Sequence, residues 1–268
     1  MRAAGRVVAA ALDAARTAAT AGVTLRELDE IAAAVIRDAG AKPAFLGYHP
    51  RWAPTPYPGV LCTSVNDAVV HGIPSDYALR DGDLLSVDCG AYLDNWCGDS
   101  AFSMVVGADR SADRSAVAGG PGTHSADRGP AADARASSER LIAAAEAALA
   151  AGIAAAVPGN RLGDIAAAIG TTARTGGYGI LDGHGGHGIG RAMHEDPHVP
   201  NEGRAGRGLR LRPGLVLALE PMLIADGSDD YRHDPDGWTL RTYTGARAAH
   251  VEHTVAITDA GPVVLTLP

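Results

Sequence analysis

Apolar residues near the start of the chain keep a helical period and later change to a strand period. Residues 2–20 are alanine-rich and read as a helix. A better-marked helix follows, with Thr24 and Glu27 as a capping box and Val23 and Leu28 as its hydrophobic staple. Leu25, Leu28, Ile31, Val35 and Ile36 share one face, and Gly40 ends the helix. Residues 41–59 form a loop rich in proline, tyrosine and tryptophan. Residues 60–65, 68–70, 84–89 and 101–106 then read as strands, with Asn66-Asp67 as a turn. Residues 108–138 are mostly Ala, Gly, Ser, Asp and Arg, which predicts a mobile surface insertion. Helices resume at 138–151 and 161–172.

The pattern repeats itself. Gly22-x-x-Leu25-x-Glu27-Leu28 matches Gly159-x-x-Leu162-x-Asp164-Ile165, and His71-Gly72-Ile73 returns as His187-Gly188-Ile189. Leu79-Arg80-x-Gly82, running to Asp88, matches Leu211-Arg212-x-Gly214, running to Glu220 at the same spacing. Asp99-Ser100 and Glu252-His253-Thr254 each open a late apolar strand. Single matches mean little in an Ala/Gly-rich chain, but four in one order predict two related halves. The expected organisation is one domain, 1–268, with halves 1–107 and 139–268 about a pseudo-twofold axis. The cleft between them is a natural site.

Composition narrows the class. The chain has 268 residues, 46% of them apolar, enough for a sizeable core. A formal charge of −8 argues against a nucleic-acid or anionic-membrane surface. Cys62, Cys89 and Cys97 are odd in number and lack CxxC spacing. They suit a reducing compartment and offer neither a disulfide framework nor a thiolate zinc site. Asp13 and Arg16 interrupt the N-terminal alanine run before a signal-like core forms, and no stretch reaches membrane-spanning length. A cytoplasmic protein is expected.

The chemistry gathers around residues 183–197, G-H-G-G-H-G-I-G-R-A-M-H-E-D-P. Glycine permits tight turns and close approach to a ligand, and neutral histidine can ligate a borderline metal ion. His187 is the ligand candidate because it sits in the repeated H-G-I, whereas His184 reads as a loop residue. Asp88 and Asp99 in the first half, and Glu220 and Glu252 in the second, lie in or beside apolar strands. Buried acids are costly unless paired or bound to a cation. Four at duplicated positions with one imidazole make a sulfur-free donor set suited to Mn, Fe, Co or Zn, with room for two ions. Such a pair can hold a hydroxide between the ions and polarise a carbonyl, which points to amide or ester hydrolysis. Gly183-x-Gly185-x-x-Gly188 fits a dinucleotide pattern literally, but a polar turn follows where a helix is required. No G-x-S-x-G or Gly-Lys-Ser/Thr occurs. His49, His124, His198, His233, His250 and His253 read as exposed or hydrogen-bonded, with His253 near the site through Glu252.

These residues resemble the methionine aminopeptidases, most closely the bacterial type I enzymes. The likeness rests on V-N-D-A-V-V-H-G-I-P (65–74), D-x(10)-D (88–99), G-H-G-I-G-R-x-M-H-E-D-P (186–197), L-E-P-M (219–222) and V-E-H-T (251–254). It implies an α/β (α+β) pita-bread fold, creatinase/aminopeptidase-like, its central antiparallel sheet covered by helices. It further implies two divalent ions held by Asp88, Asp99, His187, Glu220 and Glu252, with a bridging hydroxide attacking the scissile carbonyl. Glu220 would be the general base, His194 would hydrogen-bond the carbonyl, and His71 would flank the substrate. Tyr48, Tyr57, Cys62 and Trp238 would line the methionine pocket. The implied activity is removal of N-terminal methionine from nascent proteins when the second residue is small. Transient ribosome association and a monomeric state are further expectations. Alternatives are a Xaa-Pro aminopeptidase or prolidase-like peptidase of the same fold, and a non-catalytic pita-bread binding protein.

Two departures from the family pattern stand out. P-R-W-A-P-T-P between Tyr48 and Tyr57 is longer than the usual link and predicts a reshaped pocket entrance. Residues 108–138 extend a loop that is normally short. Neither a zinc-finger-like N-terminal extension nor the type II helical insert between His187 and Glu220 is expected.

Overall fold

The computed structural model describes residues 1–107 and 129–268. Helices α1 (Arg2–Ala18) and α2 (Leu25–Asp38) precede β1 (Lys42–Pro43), β2 (Leu61–Val65), β3 (Ala68–Val70), β4 (Leu84–Leu93) and β5 (Trp96–Val105). Helices α3 (Pro130–Ala155) and α4 (Leu162–Thr175) precede β6 (Gly179–Ile180), β7 (Gly185–Gly188), β8 (Glu195–Pro200) and β9 (Val216–Leu219). The chain continues through β10 (Met222–Ile224), β11 (Tyr231–His233), β12 (Leu240–Thr242), β13 (Ala248–His250), β14 (Glu252–Thr258) and β15 (Gly261–Val264).

One expectation needs correction. Residues 130–138, read as insertion, are the start of α3, and residues 108–128 lie outside the described part. Pro130 sits in the first turn, where its fixed φ suits helix entry, and Arg135 pairs with Asp81 at 2.9 Å. The exposed, polar first turns of this helix carry no apolar stripe, so composition alone read them as loop.

The two halves repeat their hydrogen bonds as well as their motifs. Thr24 and Arg161 are the N-caps of α2 and α4, and each forms an isolated bridge, to Ala78 and to Arg210. The Leu25 and Leu162 amides donate to the Tyr77 and Leu209 carbonyls at 3.1 and 2.9 Å. Gly82 and Gly214 donate to Val106 and Ile257 at 3.0 and 2.9 Å. Residues 82 and 214 both hold positive φ, a conformation that favours glycine. The duplication therefore reaches the backbone.

The main sheet is antiparallel in the order β1-β4-β5-β14-β9-β7-β8, with β2 added on β4 and β15 on β14. Strand alternation sorts its side chains into two faces. Leu85, Val87, Cys89 and Ala91 of β4 and Phe102 of β5 pack with α1 and α2. Leu217 and Leu219 of β9, with Val255 and Ile257 of β14, pack with α3 and α4. Positions of opposite parity turn away from the helices: Asp88, Asp99, Glu252, Ala218 and His187. Their strands, β4, β5, β14, β9 and β7, are consecutive in the sheet. Glu220 follows directly on β9.

The glycines flanking His187 owe their presence to this sheet. A side chain at Gly186 would strike the Ala218 carbonyl of β9, and one at Gly188 would strike the Asp196 carbonyl of β8. They serve the close approach of strands, not of a ligand. No helix follows them, as expected from the polar turn, because the chain runs into β8.

Candidate metal centre and substrate cleft

Four of these five strands, with Glu220 just beyond the end of β9, bring the acids and the histidine to one spot. Asp99, His187 and Glu252 each offer an atom within 4.8 Å of the others, and Glu220, His250 and Glu252 form a second such group. Asp88 and Asp99 lie on the paired strands β4 and β5, where Asp88 faces Ala101 and Asp99 faces Gly90. Asp99 is tied across the sheet to β14: Thr254 Oγ1 accepts from Asp99 N at 3.0 Å and donates to Asp99 O at 2.7 Å. Ser100 Oγ donates to the Glu252 carbonyl at 2.6 Å.

Electrostatics leave this cluster short of positive charge. Burial, then the neighbouring Asp99 and Glu220 carboxylates, push Asp88 well above the ordinary carboxylate range. Burial raises Asp99 to about 7, and burial with Asp99 raises Glu220. Glu252 is pushed well up by burial and then by Asp99, Glu220 and Asp88. Among the described residues, the basic side chains within ion-pair reach of these four acids are His187 and His250. Burial lowers both imidazoles, His250 to about 3, so neither supplies a charge at neutral pH.

Three oxygens, Asp88 Oδ1, Asp99 Oδ1 and Glu252 Oε1, are buried without a hydrogen-bond partner. Orphaned buried acceptors are rare and costly. A bound cation would satisfy all three. His187 agrees with that reading: its Nδ1 faces the Gly188 carbonyl at 2.9 Å, so Nδ1 carries the proton and the Nε2 lone pair is free. Nε2 lies 3.5 Å from Glu220 Oε1. The donor set of oxygens and one imidazole nitrogen thus suits divalent cations.

The cluster floors a cleft of about 370 Å³. One wall is apolar: Phe45, Tyr57, Cys62, Met193 and Trp238 belong to a single hydrophobic cluster drawn from both halves. The Tyr57 hydroxyl lies 2.8 Å from the Gly72 carbonyl, and the Trp238 indole N–H donates to the Thr55 carbonyl at 3.1 Å. Tyr48, half-buried, meets His194, its hydroxyl 3.0 Å from Nδ1. His194 stands at the rim 4.4 Å from the His187 ring, and partial burial followed by His187 and His71 lowers it to about 3. His71 is lowered to about 4, first by burial, and its backbone holds φ 60. A positive φ at a non-glycine residue is strained and concentrates at functional sites.

All eleven residues singled out from the sequence, from Tyr48 to Glu252, line this one cleft. Cys97 lies buried with its thiol pushed well up by burial and then by Asp99, so it offers no thiolate nucleophile. His184 and His198 also line the cleft, and His253 hydrogen-bonds Ser100 and Thr266 beside Glu252. His124 lies outside the described residues.

Sequence reasoning missed Phe45 and Met193 of the apolar wall, and also His250 and Trp52. His250 is neither exposed nor hydrogen-bonded through Nε2, but buried against Glu220 and Glu252. The signal was available: in extended backbone His250 and Glu252, two apart, share a face. Trp52, from the long link, stands over the cleft, stacked on His71 with centroids 6.1 Å apart and edge-on to Trp238 at 5.0 Å.

A curled antiparallel sheet, duplicated helix pairs on its outer face and an acid-histidine cluster in its hollow together define a pita-bread metallohydrolase. The model of metallopeptidase family M24 matches residues 1–259. Methionine aminopeptidase 1 of Mycobacterium tuberculosis is 50% identical over 274 aligned positions, covering 100% of this chain and 91% of its own length. The crystal structure of methionine aminopeptidase from Thermotoga maritima superposes with a TM-score of 0.85 at 34% identity, covering 100% of this chain and 95% of that one. The prolidase of Pyrococcus horikoshii superposes at 0.68 with 20% identity, covering 99% of this chain and 60% of that one, a likeness of fold alone. This chain belongs to metallopeptidase family M24, among its methionine aminopeptidases.

Proposed function

We propose that this protein is a metal-dependent aminopeptidase that removes N-terminal methionine from new proteins whose second residue is small. The observation that carries the reading is the group of buried, unpartnered carboxylate oxygens beside an apolar, sulfur-lined wall. Asp88, Asp99, His187, Glu220 and Glu252 are the residues that would hold two divalent cations. When bound, those cations supply Lewis acidity and a water-derived nucleophile at neutral pH.

The chain's own groups do the rest. Glu220 accepts a proton from the attacking water and returns it to the leaving amine. His194 is neutral, and a Tyr48 hydroxyl donating to its Nδ1 leaves the proton on Nε2, the tautomer that donates to a scissile carbonyl. His71, also neutral, offers a hydrogen bond to the substrate without adding charge. Phe45, Tyr57, Cys62 and Trp238 give a thioether side chain polarisable, apolar contacts. The two halves act as one catalytic domain, since each supplies part of the donor set. Action in the cytoplasm as a monomer, with transient ribosome contact, belongs to the same proposal; no helix among the described residues is long and apolar enough to cross a membrane.

The test is methionine release from Met-Ala-Ser by metal-stripped protein titrated with Mn, Fe, Co and Zn ions, with Ala-Pro-Ala alongside. Cation-dependent methionine release with Ala-Pro-Ala intact is expected. Cleavage of Ala-Pro-Ala instead would move the chain to the proline-directed peptidases.

The long link adds a prediction. Trp52 is 56% exposed yet stacks on His71 and meets Trp238. An aromatic contact of this kind contributes about 0.5–1.5 kcal/mol. Trp52→Ala is therefore expected to raise KM for Met-Ala-Ser about two- to tenfold, with a smaller change in kcat. Unaltered KM would leave the ring outside the substrate's reach.

A further inference from the structure

Among the described residues, His250 faces the carboxylate cluster from outside every recognised motif. His250 ends β13 and is 2% exposed. Its backbone is held from two strands: its amide donates to Ser103 Oγ at 3.1 Å and lies 3.3 Å from Ser86 Oγ, and its carbonyl accepts from Ser103 Oγ at 2.8 Å. Across the ladder it pairs with Met222, just beyond Glu220. The ring therefore has a fixed origin. Its Nε2 is buried without a hydrogen-bond partner, 3.7 Å from Glu220 Oε2 and 3.8 Å from Glu252 Oε2.

The oxygens of each glutamate are divided by this arrangement. Glu220 turns Oε1 toward His187 Nε2 at 3.5 Å and Oε2 toward His250. Glu252 turns Oε2 toward His250 and keeps Oε1 buried and unpartnered. A carboxylate that gives one oxygen to a cation can still rotate about its stem. A donor on the second oxygen fixes that rotation.

Building on the metallopeptidase reading, we propose that His250 is a positioning residue of the metal centre. Its Nε2–H holds the rear oxygens of Glu220 and Glu252, so that the other oxygen of each faces the cations. The present separations exceed hydrogen-bond length by about 0.5–1 Å, a gap that a small carboxylate rotation closes. A neutral donor suits the task, because it orders both acids without competing with the cations for their charge.

The test compares His250→Gln, which keeps an N–H on a stem of similar reach, with His250→Met, which keeps the bulk and loses the donor. Mn(II) affinity and stoichiometry are measured by equilibrium dialysis on the full chain, the unaltered protein first. An unaltered protein that binds no Mn(II) would sink the metallopeptidase reading itself. Given binding, His250→Met is expected to weaken Mn(II) affinity about 10- to 100-fold, and His250→Gln to restore most of it. Affinity unchanged in His250→Met overturns the proposal. Independently of either variant folding, pulsed EPR of the Mn(II)-loaded unaltered protein counts coupled imidazoles. One, from His187, agrees with a positioning role; two would make His250 a ligand and overturn it.

Discussion

Replacing Glu220 with Gln is expected to lower turnover of Met-Ala-Ser by about 10²- to 10⁴-fold while the protein stays folded. The substitution keeps the shape of the side chain and removes the oxygen proposed to carry the proton. It leaves the local scaffold untouched, since the Glu220 carbonyl still accepts from Asn201 Nδ2 at 3.0 Å and Pro221 still leads into β10. Without cations, it also removes a negative charge that burial and Asp99 oppose, so the melting temperature of the stripped variant should not fall. Turnover, cation content and melting temperature are measured together. Near-normal turnover with full cation content would refute the role of proton carrier. Loss of one cation together with turnover would shift the effect from proton transfer to ligation.

The centre could be read from sequence because its residues are duplicated and sit at a strand period. Asp88 and Glu220 follow matched Leu-Arg-x-Gly turns at equal spacing, and in the fold those turns make the same hydrogen bonds in each half. The α2 helix was equally plain, its capping box closing with Glu27 Oε2 2.7 Å from the Thr24 amide. What stayed hidden depends on packing between distant segments. Trp52, His71 and Trp238 meet only once the long link folds over the cleft. The reason for glycine at 186 and 188 lies in carbonyls of two other strands, which the local string does not contain. His250 escaped for a different reason. Its spacing from Glu252 puts the two on one face of an extended chain, but Glu220 joins them only when the sheet sets β14 and the end of β9 beside one another.

Stability should depend on pH in the opposite sense with and without cations. Stripped of metal, the protein is expected to lose stability as pH rises from about 4 to about 7. Asp88, Glu220 and Glu252 have folded values raised by burial and then by neighbouring carboxylates, and burial raises Asp99 to about 7. Between the unfolded and folded values the native state binds more protons than the unfolded chain. The slope of unfolding free energy with pH is then negative. The contribution is fully present below the unfolded carboxylate value and is lost as pH passes through the folded ones. Exposed paired acids run the other way: Asp229, lowered by its bond to Arg174, loses its contribution as pH falls. Divalent cations bind the deprotonated cluster, so their affinity grows as protons leave. Saturation at a thousand times the dissociation constant adds about 4 kcal/mol. The gap in melting temperature between Mn(II)-loaded and chelated protein should therefore widen steadily from roughly pH 5 to pH 8. Melts in chelator and in excess Mn(II) across that range decide the matter. A constant gap would mean that the carboxylates are already ionised without metal, and that something other than a cation balances their charge.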